Sequence, residues 1–493
     1  MLLLTIDRKS AVPVYRQIID RVVHLVDGGT LSPGDRLPSS RILARSTGIH
    51  RSSVTRAYEE LWALGYLESR PGSYSTIRRR ARRLTGVERA QPLLDWSAKV
   101  VPAARSARES SALLSRDRPA KSDSRVLDFS RLTADVQLTP RDAVRRCFKA
   151  VLREDAGQAL QYGEPAGYHP LRETIALRLR THGVDVTPEE IVVTGGAQQA
   201  LDLLLRALAR PGDRIVVESP TYSVALHLFR FHGLDLQSIP VRPQGMDLDA
   251  LEQALAGQRP ALLYTIPNFH NPTGITTNQV HRERLLALCE KHRLPLVEDG
   301  FEEEMKYFGK AVLPIKSMDR RDMVAYVGTL SKVVFPGLRI GWIAAPRPLA
   351  DSVQAIQRLC SLSGNHLAQA AVHRFFATGA YEAHLRRVHK TYRRRMQAMI
   401  DGLRENLPRR GVSWTEPQGG YTLWLQVSGT KLAEQALHDR LLAAGVKLSS
   451  GRLFHAHAPR HPCFRVSICC STADEISEGC RRIGRVLRAA VEG

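Results

Sequence analysis

The chain lacks the marks of a secreted or membrane-spanning protein. No apolar stretch in its 493 residues approaches the roughly 20 residues of a membrane span. The apolar run in the opening MLLLTIDRKS is far too short for the h-region of a secretory signal, and no basic residue precedes it. The seven cysteines (Cys147, Cys289, Cys360, Cys463, Cys469, Cys470 and Cys480) are an odd number with no paired metal-ligand spacing, and two of them are adjacent. That pattern argues against a disulfide framework or a metal site and predicts reduced thiols in a cytoplasmic protein. Acidic residues are also scarce: 49 Asp and Glu stand against 71 Lys and Arg, a formal charge of +22. Such an excess favours a polyanionic partner, nucleic acid first. A mean hydropathy of −0.22 fits a globular protein that is not membrane-embedded.

A chain this long exceeds one ordinary core, so two or three domains are expected. Residues 78–125 hold thirteen basic and five acidic residues, are rich in Arg, Ala and Ser, and show no sustained apolar period. Residues 78–126 therefore read as a basic flexible linker between an N-terminal module (1–77) and a large remainder (127–493).

In the N-terminal module, PVYRQIIDRVVHLVD (13–27) places Ile18, Val22 and Leu25 on one helical face. A short helix capped by Ser39 or Ser40 follows, then a turn at Gly48 and a second helix ending near Gly65. YLESRPGSYSTI supplies two short strands. The N-terminal residues of the second helix, His50, Arg51, Ser52, Ser53 and Thr55, are placed to meet a DNA major groove, with Arg36 and Arg41 flanking it. The string LPSSRILARSTGIHRSSVTRAYEELWALGYLESRPGSY closely resembles the GntR-type winged helix-turn-helix. That resemblance implies DNA contacts at Arg41, Arg51 and Ser52 and a wing tip at Gly72.

From residue 127 strands alternate with helices, as in a mostly parallel sheet covered on both faces, where ligands collect at the carboxyl ends of the strands. The polar strings fall at those ends. TGGAQQAL aims the backbone N–H groups of Gly196, Ala197 and Gln198 at an anion. Tyr222 offers a stacking face, Asn271 an amide donor, and Asp299 a carboxylate for a ring nitrogen. In GTLSKVVFPGLRIGW, Lys332 stands beside the Thr329 and Ser331 hydroxyls. The Pro336-Gly337 bend returns Arg339 toward the same ligand as a phosphate-binding guanidinium. Arg465, within CFRVSI, suits a carboxylate. An anion cradle, a stacking ring, an aspartate, an amide, a lysine and an arginine together describe a site for pyridoxal 5'-phosphate, with Lys332 as the Schiff-base residue.

YGEPAGYHPLRETIA, VTGGAQQALDLL, PNFHNPTG, SKVVFPGLRIGW and QGGYTLWL resemble the fold-type I aminotransferases, and the whole chain resembles the MocR-like regulators that join a GntR module to that fold. The resemblance implies an α+β winged helix-turn-helix followed by an α/β, aspartate aminotransferase-like large domain. A small α+β subdomain is expected over about 350–493, in a homodimer. Two departures from the pattern stand out. Phe301 occupies the place of a tyrosine that in the relatives hydrogen-bonds the cofactor, with Tyr307 further on, and Ala197 replaces a hydroxyl residue. The expected function is a transcriptional regulator that binds double-stranded DNA and senses an amino compound, or pyridoxal phosphate itself. The alternative is a working aminotransferase with an autoregulatory DNA-binding module.

Overall fold

The computed structural model describes residues 6–8, 10–68, 74–78, 93–116, 126–257 and 259–492. It divides into two compact units, 1–99 and 100–493. In the first unit, α1 (Val14–Asp27), α2 (Ser40–Thr47) and α3 (Arg51–Ala63) precede the antiparallel pair β1 (Leu67–Glu68) and β2 (Thr76–Ile77). Ser39 caps α2, its Oγ accepting the Ile42 N–H at 3.3 Å. Gly48 ends that helix at φ +65°, a left-handed conformation that a side chain would strain. Val54, Ala57, Tyr58 and Leu61 recur at helical spacing on α3 and share one core with Ile18, Ile19 and Val22 of α1 and Leu43 of α2. Leu25 is only half-buried there. The winged helix-turn-helix is present as expected; Gly72, the expected wing tip, lies outside the described residues.

The expected linker needs correction. Pro102–Arg116 is a helix packed on the helix Ser223–Phe231 of the large unit. Its inward face is made of Ala104, Ala107, Ser110 and Leu114, residues too small or polar to give an apolar period. Alanine nevertheless favours the helix, and proline is well placed at its first position. The boundary between the units falls at residues 99 and 100, inside the segment read as linker.

Strand β3 (Leu127–Asp128) precedes the main sheet of the large unit. Eight strands follow in one sheet: β4 (Ile191–Thr194), β5 (Arg214–Ser219), β6 (Asp235–Arg242), β7 (Gly245–Met246), β8 (Leu262–Thr265), β9 (Leu296–Asp299), β10 (Val324–Thr329) and β11 (Gly341–Ala344). Their spatial order is 4-11-10-9-8-5-6-7. Strands β10, β9, β8, β5 and β6 run parallel, while β11 is antiparallel to both of its neighbours. The central strands are buried throughout, as a parallel sheet with two covered faces requires. In register, Thr194 pairs with Gly341 and Gly341 with Thr329, so three strand ends meet at one edge.

A second sheet, from β12 (Val412–Trp414), β13 (Thr422–Val427), β15 (Ser449–Ser450) and β16 (Cys463–Ser467), forms the smaller α+β layer with the helices Ala380–Asn406 and Ala473–Glu492. Strand β14 (Val446–Lys447) in the same region pairs in parallel with β3, so the first strand of the large unit belongs to this C-terminal layer. No helix among the described residues is long and apolar enough to cross a membrane. All seven cysteines are free.

Removing the α2 cap isolates one local contribution. Ser39→Ala is expected to destabilise the N-terminal unit by about 1 kcal/mol. Amide hydrogen exchange should show α2 and α3 opening faster while the sheet of the large unit is unchanged.

Candidate cofactor site and DNA interface

In the first unit the start of α3 is open to solvent. Arg36, Arg41, His50, Arg51 and Ser52 are exposed, and Ser53 and Thr55 are half-buried. His50 caps α3: its Nδ1 lies 2.6 Å from the Ser52 Oγ and accepts the Ser52 N–H at 3.4 Å. Ser52 is thus engaged by the cap, whereas Arg51 is exposed at the positive end of the helix dipole. The Arg36 guanidinium stacks 5.5 Å from the centroid of Tyr74, which steadies it beside the wing.

In the large unit the strand ends bring the expected cofactor residues together. The connection from β10 to β11 carries both Lys332 and Arg339. Lys332 Nζ donates to the Leu132 carbonyl at 2.7 Å, and the Tyr421 hydroxyl donates to the Lys332 carbonyl at 2.8 Å. The Thr329 hydroxyl donates to the Ile340 carbonyl at 3.1 Å and accepts the Ser331 N–H at 3.2 Å, closing the turn that presents the lysine. Burial pushes the Lys332 amine below its ordinary pKa; Arg465 and Arg339 act in the same direction, and Cys469 and Glu302 oppose it.

Gly196 sits at φ +98° just before the helix Ala197–Leu208. A Cβ there would lie 2.9 Å from an Arg339 guanidinium nitrogen, so the missing side chain leaves the room in which Arg339 overlies the helix N-terminus. Arg339 itself has φ +51° after the single turn Pro336–Leu338, a conformation uncommon for arginine that folds its side chain back toward the loop. The Gln198 Oε1 is buried with no hydrogen-bond partner. Tyr222 immediately precedes the helix Ser223–Phe231, and burial lifts its hydroxyl to about 12, with Asp299 adding to the shift and Arg465 and Arg339 opposing it.

Asp299 ends β9. Its Oδ2 accepts the Tyr264 hydroxyl at 2.8 Å, and its Oδ1 is buried with no hydrogen-bond partner. Burial raises this carboxyl to about 6 against the Tyr264 and backbone hydrogen bonds that lower it. Arg465, on β16, donates to the Ser130 carbonyl at 2.8 Å, lies 3.3 Å from both the Asn271 Oδ1 and the Ser449 Oγ, and stacks 4.8 Å from the Phe454 centroid.

These positions fit pyridoxal phosphate. The unpartnered Asp299 oxygen suits a protonated ring nitrogen, the Gly196 cradle with Arg339 suits the phosphate, and Lys332 suits the aldehyde. Bound there, the cofactor would supply an electron-withdrawing ring, with Asp299 placed for its ring nitrogen, Gly196 and Arg339 for its phosphate and Lys332 for its aldehyde.

Phe301 brings no hydroxyl to this site; it is buried in the apolar cluster that includes Tyr264, Ile266 and Val297. Tyr307 stands elsewhere, edge-on to His389 and Phe308, in the company of Glu302, Tyr392 and Cys469. Sequence reasoning missed Tyr264, which reads as a core residue of an apolar strand. It also missed the Ser130 and Leu132 carbonyls, since a backbone acceptor leaves no trace in residue type.

Two outcomes follow. Arg51→Ala is expected to lower specific DNA affinity by about 1–3 kcal/mol, measured by fluorescence anisotropy on DNA selected by the protein. The second concerns pH. Burial holds Asp299, Glu303 and Glu302 near about 6, 7 and 8, so each keeps a proton in the folded chain that the unfolded chain releases. Stability from these groups is fully present below the unfolded carboxylate values and is lost as pH rises through the folded ones. Cofactor-free Asp299→Asn should therefore gain on wild type, by on the order of 3 kcal/mol, as pH is raised from 3.8 through about 6. Denaturant unfolding at each pH checks it.

Comparison with known proteins agrees with this geometry. The family described as bacterial regulatory proteins, gntR family, matches residues 14–77, and the family described as aminotransferase class I and II matches residues 131–483. The HTH-type transcriptional regulator YdfD of Bacillus subtilis is 28% identical over 98% of this chain and 98% of its own length. The probable rhizopine catabolism regulatory protein MocR of Rhizobium meliloti is 30% identical, covering 82% of this chain and 80% of that protein. Among solved structures, the α-aminoadipate aminotransferase LysN of Thermus thermophilus, complexed with N-(5'-phosphopyridoxyl)-L-leucine, superposes with a TM-score of 0.72 at 31% identity. It covers 81% of this chain and 100% of that one. With an aminotransferase fold over most of its length and a gntR-type module before it, the chain belongs to the class I and II aminotransferase family and, within it, to the MocR-type regulators.

Proposed function

We propose that the chain is a cytoplasmic, homodimeric regulator of transcription that holds pyridoxal phosphate on Lys332 and responds to an amino compound whose carboxylate is read by Arg465. One observation carries the reading. The Lys332 amine and the Arg465 guanidinium are both held by backbone carbonyls of the short segment 127–132, at Leu132 and Ser130. In sequence this segment follows the helix Pro102–Arg116 and lies between the DNA-binding module and the main sheet of the aminotransferase-like fold. Cofactor on Lys332 requires the amine to leave the Leu132 carbonyl. A ligand carboxylate at Arg465 competes with the Ser130 carbonyl. Site occupancy therefore changes what that segment is bonded to, which is the differential interaction that coupling to DNA requires. Two copies of the winged helix match the paired half-sites such modules read, which supports the homodimer.

The enzyme reading is favoured by the full set of Lys332, Asp299, Arg339 and Arg465. Phe301 weighs against efficient turnover, because its apolar packing leaves no hydroxyl to tune the cofactor.

The test is DNA affinity measured with and without pyridoxal phosphate and a pool of amino acids. Wild type should change its affinity several-fold. Lys332→Ala should lose both the response and the borohydride-fixable cofactor, and Arg465→Ala should keep the cofactor and lose the response to amino acids. If affinity responds to the cofactor alone, pyridoxal phosphate is the effector. DNA affinity indifferent to all ligands, with the visible cofactor band bleached and a keto acid released, would hand the site to the enzyme reading.

A further inference from the structure

The stretch HAHAPRHP, residues 455–462, carries three histidines and an arginine in eight positions, and no Asp or Glu occurs from 440 to 473. Nothing above uses it. Histidines at that density suggest a metal, yet among the described residues no three His, Cys, Asp or Glu side chains stand where they could hold one. The fold gives the stretch another setting, as one wall of a cavity of about 930 Å³ between the main sheet and the C-terminal layer. The opposite wall comes from the ends of β5 and β6, at Pro220 and Val241, and from residues 273–276. Trp414 of β12 and Trp424 of β13 add flat apolar faces. Thr415 ties the two layers together across the cavity: its hydroxyl donates to the Thr273 carbonyl at 2.5 Å and accepts the Trp424 N–H at 2.9 Å.

None of Lys332, Asp299, Asn271, Arg339 and Arg465 lines this cavity. Phe454 joins the two places: its ring lies 4.8 Å from the Arg465 guanidinium and meets Trp424 edge-on, with centroids 5.9 Å apart. The charge on the lining is one-sided. Arg460, His457 and His461 are exposed there and have no hydrogen bond or ion pair among the described residues. Arg242 is held by Asp247 at 3.0 Å, and the one acid on the lining, Glu416, is taken up by Arg404 through two hydrogen bonds. His455 adds a ring rather than a charge: its Nδ1–H donates to the Gly451 carbonyl at 3.0 Å, and burial lowers its affinity for a further proton. Cationic groups without partners beside indole faces, in a cavity of the size that small-molecule sites have, suit a flat organic anion.

We propose that this cavity is a second ligand site, for a small molecule with a flat ring and a phosphate or carboxylate, its anionic group held by Arg460, His457 and His461 and its ring lying against Trp414 and Trp424. The proposal stands apart from the reading of Lys332 and Arg465, since no residue it uses belongs to the cofactor site.

The test is isothermal calorimetry on the full chain, with pyridoxal phosphate first fixed by borohydride so that the phosphate cradle at Gly196 is filled. The probes are 4-nitrophenyl phosphate and 4-nitrobenzoate, with neutral 4-nitrobenzyl alcohol as the control. Wild type should bind an anionic probe with Kd below about 1 mM, and the alcohol at least about tenfold more weakly. His457→Ala/Arg460→Ala, which alters two exposed side chains, should bind the anions at least about tenfold more weakly than wild type. Should that variant not fold, Arg460→Gln alone should weaken them about fivefold. The tighter of the two anions identifies the group that the site reads. Anions that fail to bind wild type at about 1 mM, or bind it no more tightly than the alcohol, overturn the proposal. So does an affinity that the substitutions leave unchanged. A chain that fixes no cofactor fails the Lys332 reading at that step; it is titrated as it stands, because neither substitution touches the phosphate cradle and the difference from wild type still reports the cavity.

Discussion

The site depends on two backbones that touch. A Cβ on Gly341 would lie 2.7 Å from the Gly196 carbonyl carbon and 2.8 Å from its Cα, so neither an alanine nor anything larger fits between the end of β11 and the loop after β4. That contact is possible because β11 runs antiparallel between β4 and β10 and starts at the edge where β4 ends and the phosphate loop begins. Two sources of positive potential then converge on one point. The dipole of the helix Ala197–Leu208 arrives from below, and Arg339 arrives from the turn just before β11. Lys332 is carried by the same turn, so the reach from amine to phosphate cradle is set by one short connection.

The opposite end of the site works by withholding partners. Asp299 keeps one oxygen unbonded in a place water does not reach, and Glu302 does the same nearby. Unsatisfied buried carboxyls oppose folding, and the large apolar clusters of the sheet and the C-terminal layer offset them. A chain arranged this way is less stable than one with hydrocarbon at those positions. What it gains is a preorganised pocket whose stability improves when a cationic ring enters.

Much of this was legible in the sequence, and the reasons differ by element. Lys332, Asp299, Arg339 and Arg465 were legible because each has few roles at the end of an apolar strand, and their order along the chain constrains one another. The cap at Ser39 and the turn at Gly48 were legible because local chemistry alone decides them. The helix Pro102–Arg116 was not: its half-buried face is made of two alanines, a serine and a leucine, too small or polar to give an apolar period. Neither was the pairing of β3 with β14, since two-residue strands over three hundred positions apart carry no periodic signal. Glu302 was hidden for another reason. Within EDGFEEE it stands among acids that look solvated, and only the fold shows that this one is enclosed.

The helix Pro102–Arg116 has a consequence in chain statistics. Packed on the helix Ser223–Phe231, it contributes nothing to the length of chain through which the N-terminal unit can move. Its 15 residues, released and extended, would add about 50 Å of tether. Holding or releasing that one helix thus changes the effective concentration of the DNA-binding module at a site it must reach, with no change in the module's own contacts to the bases.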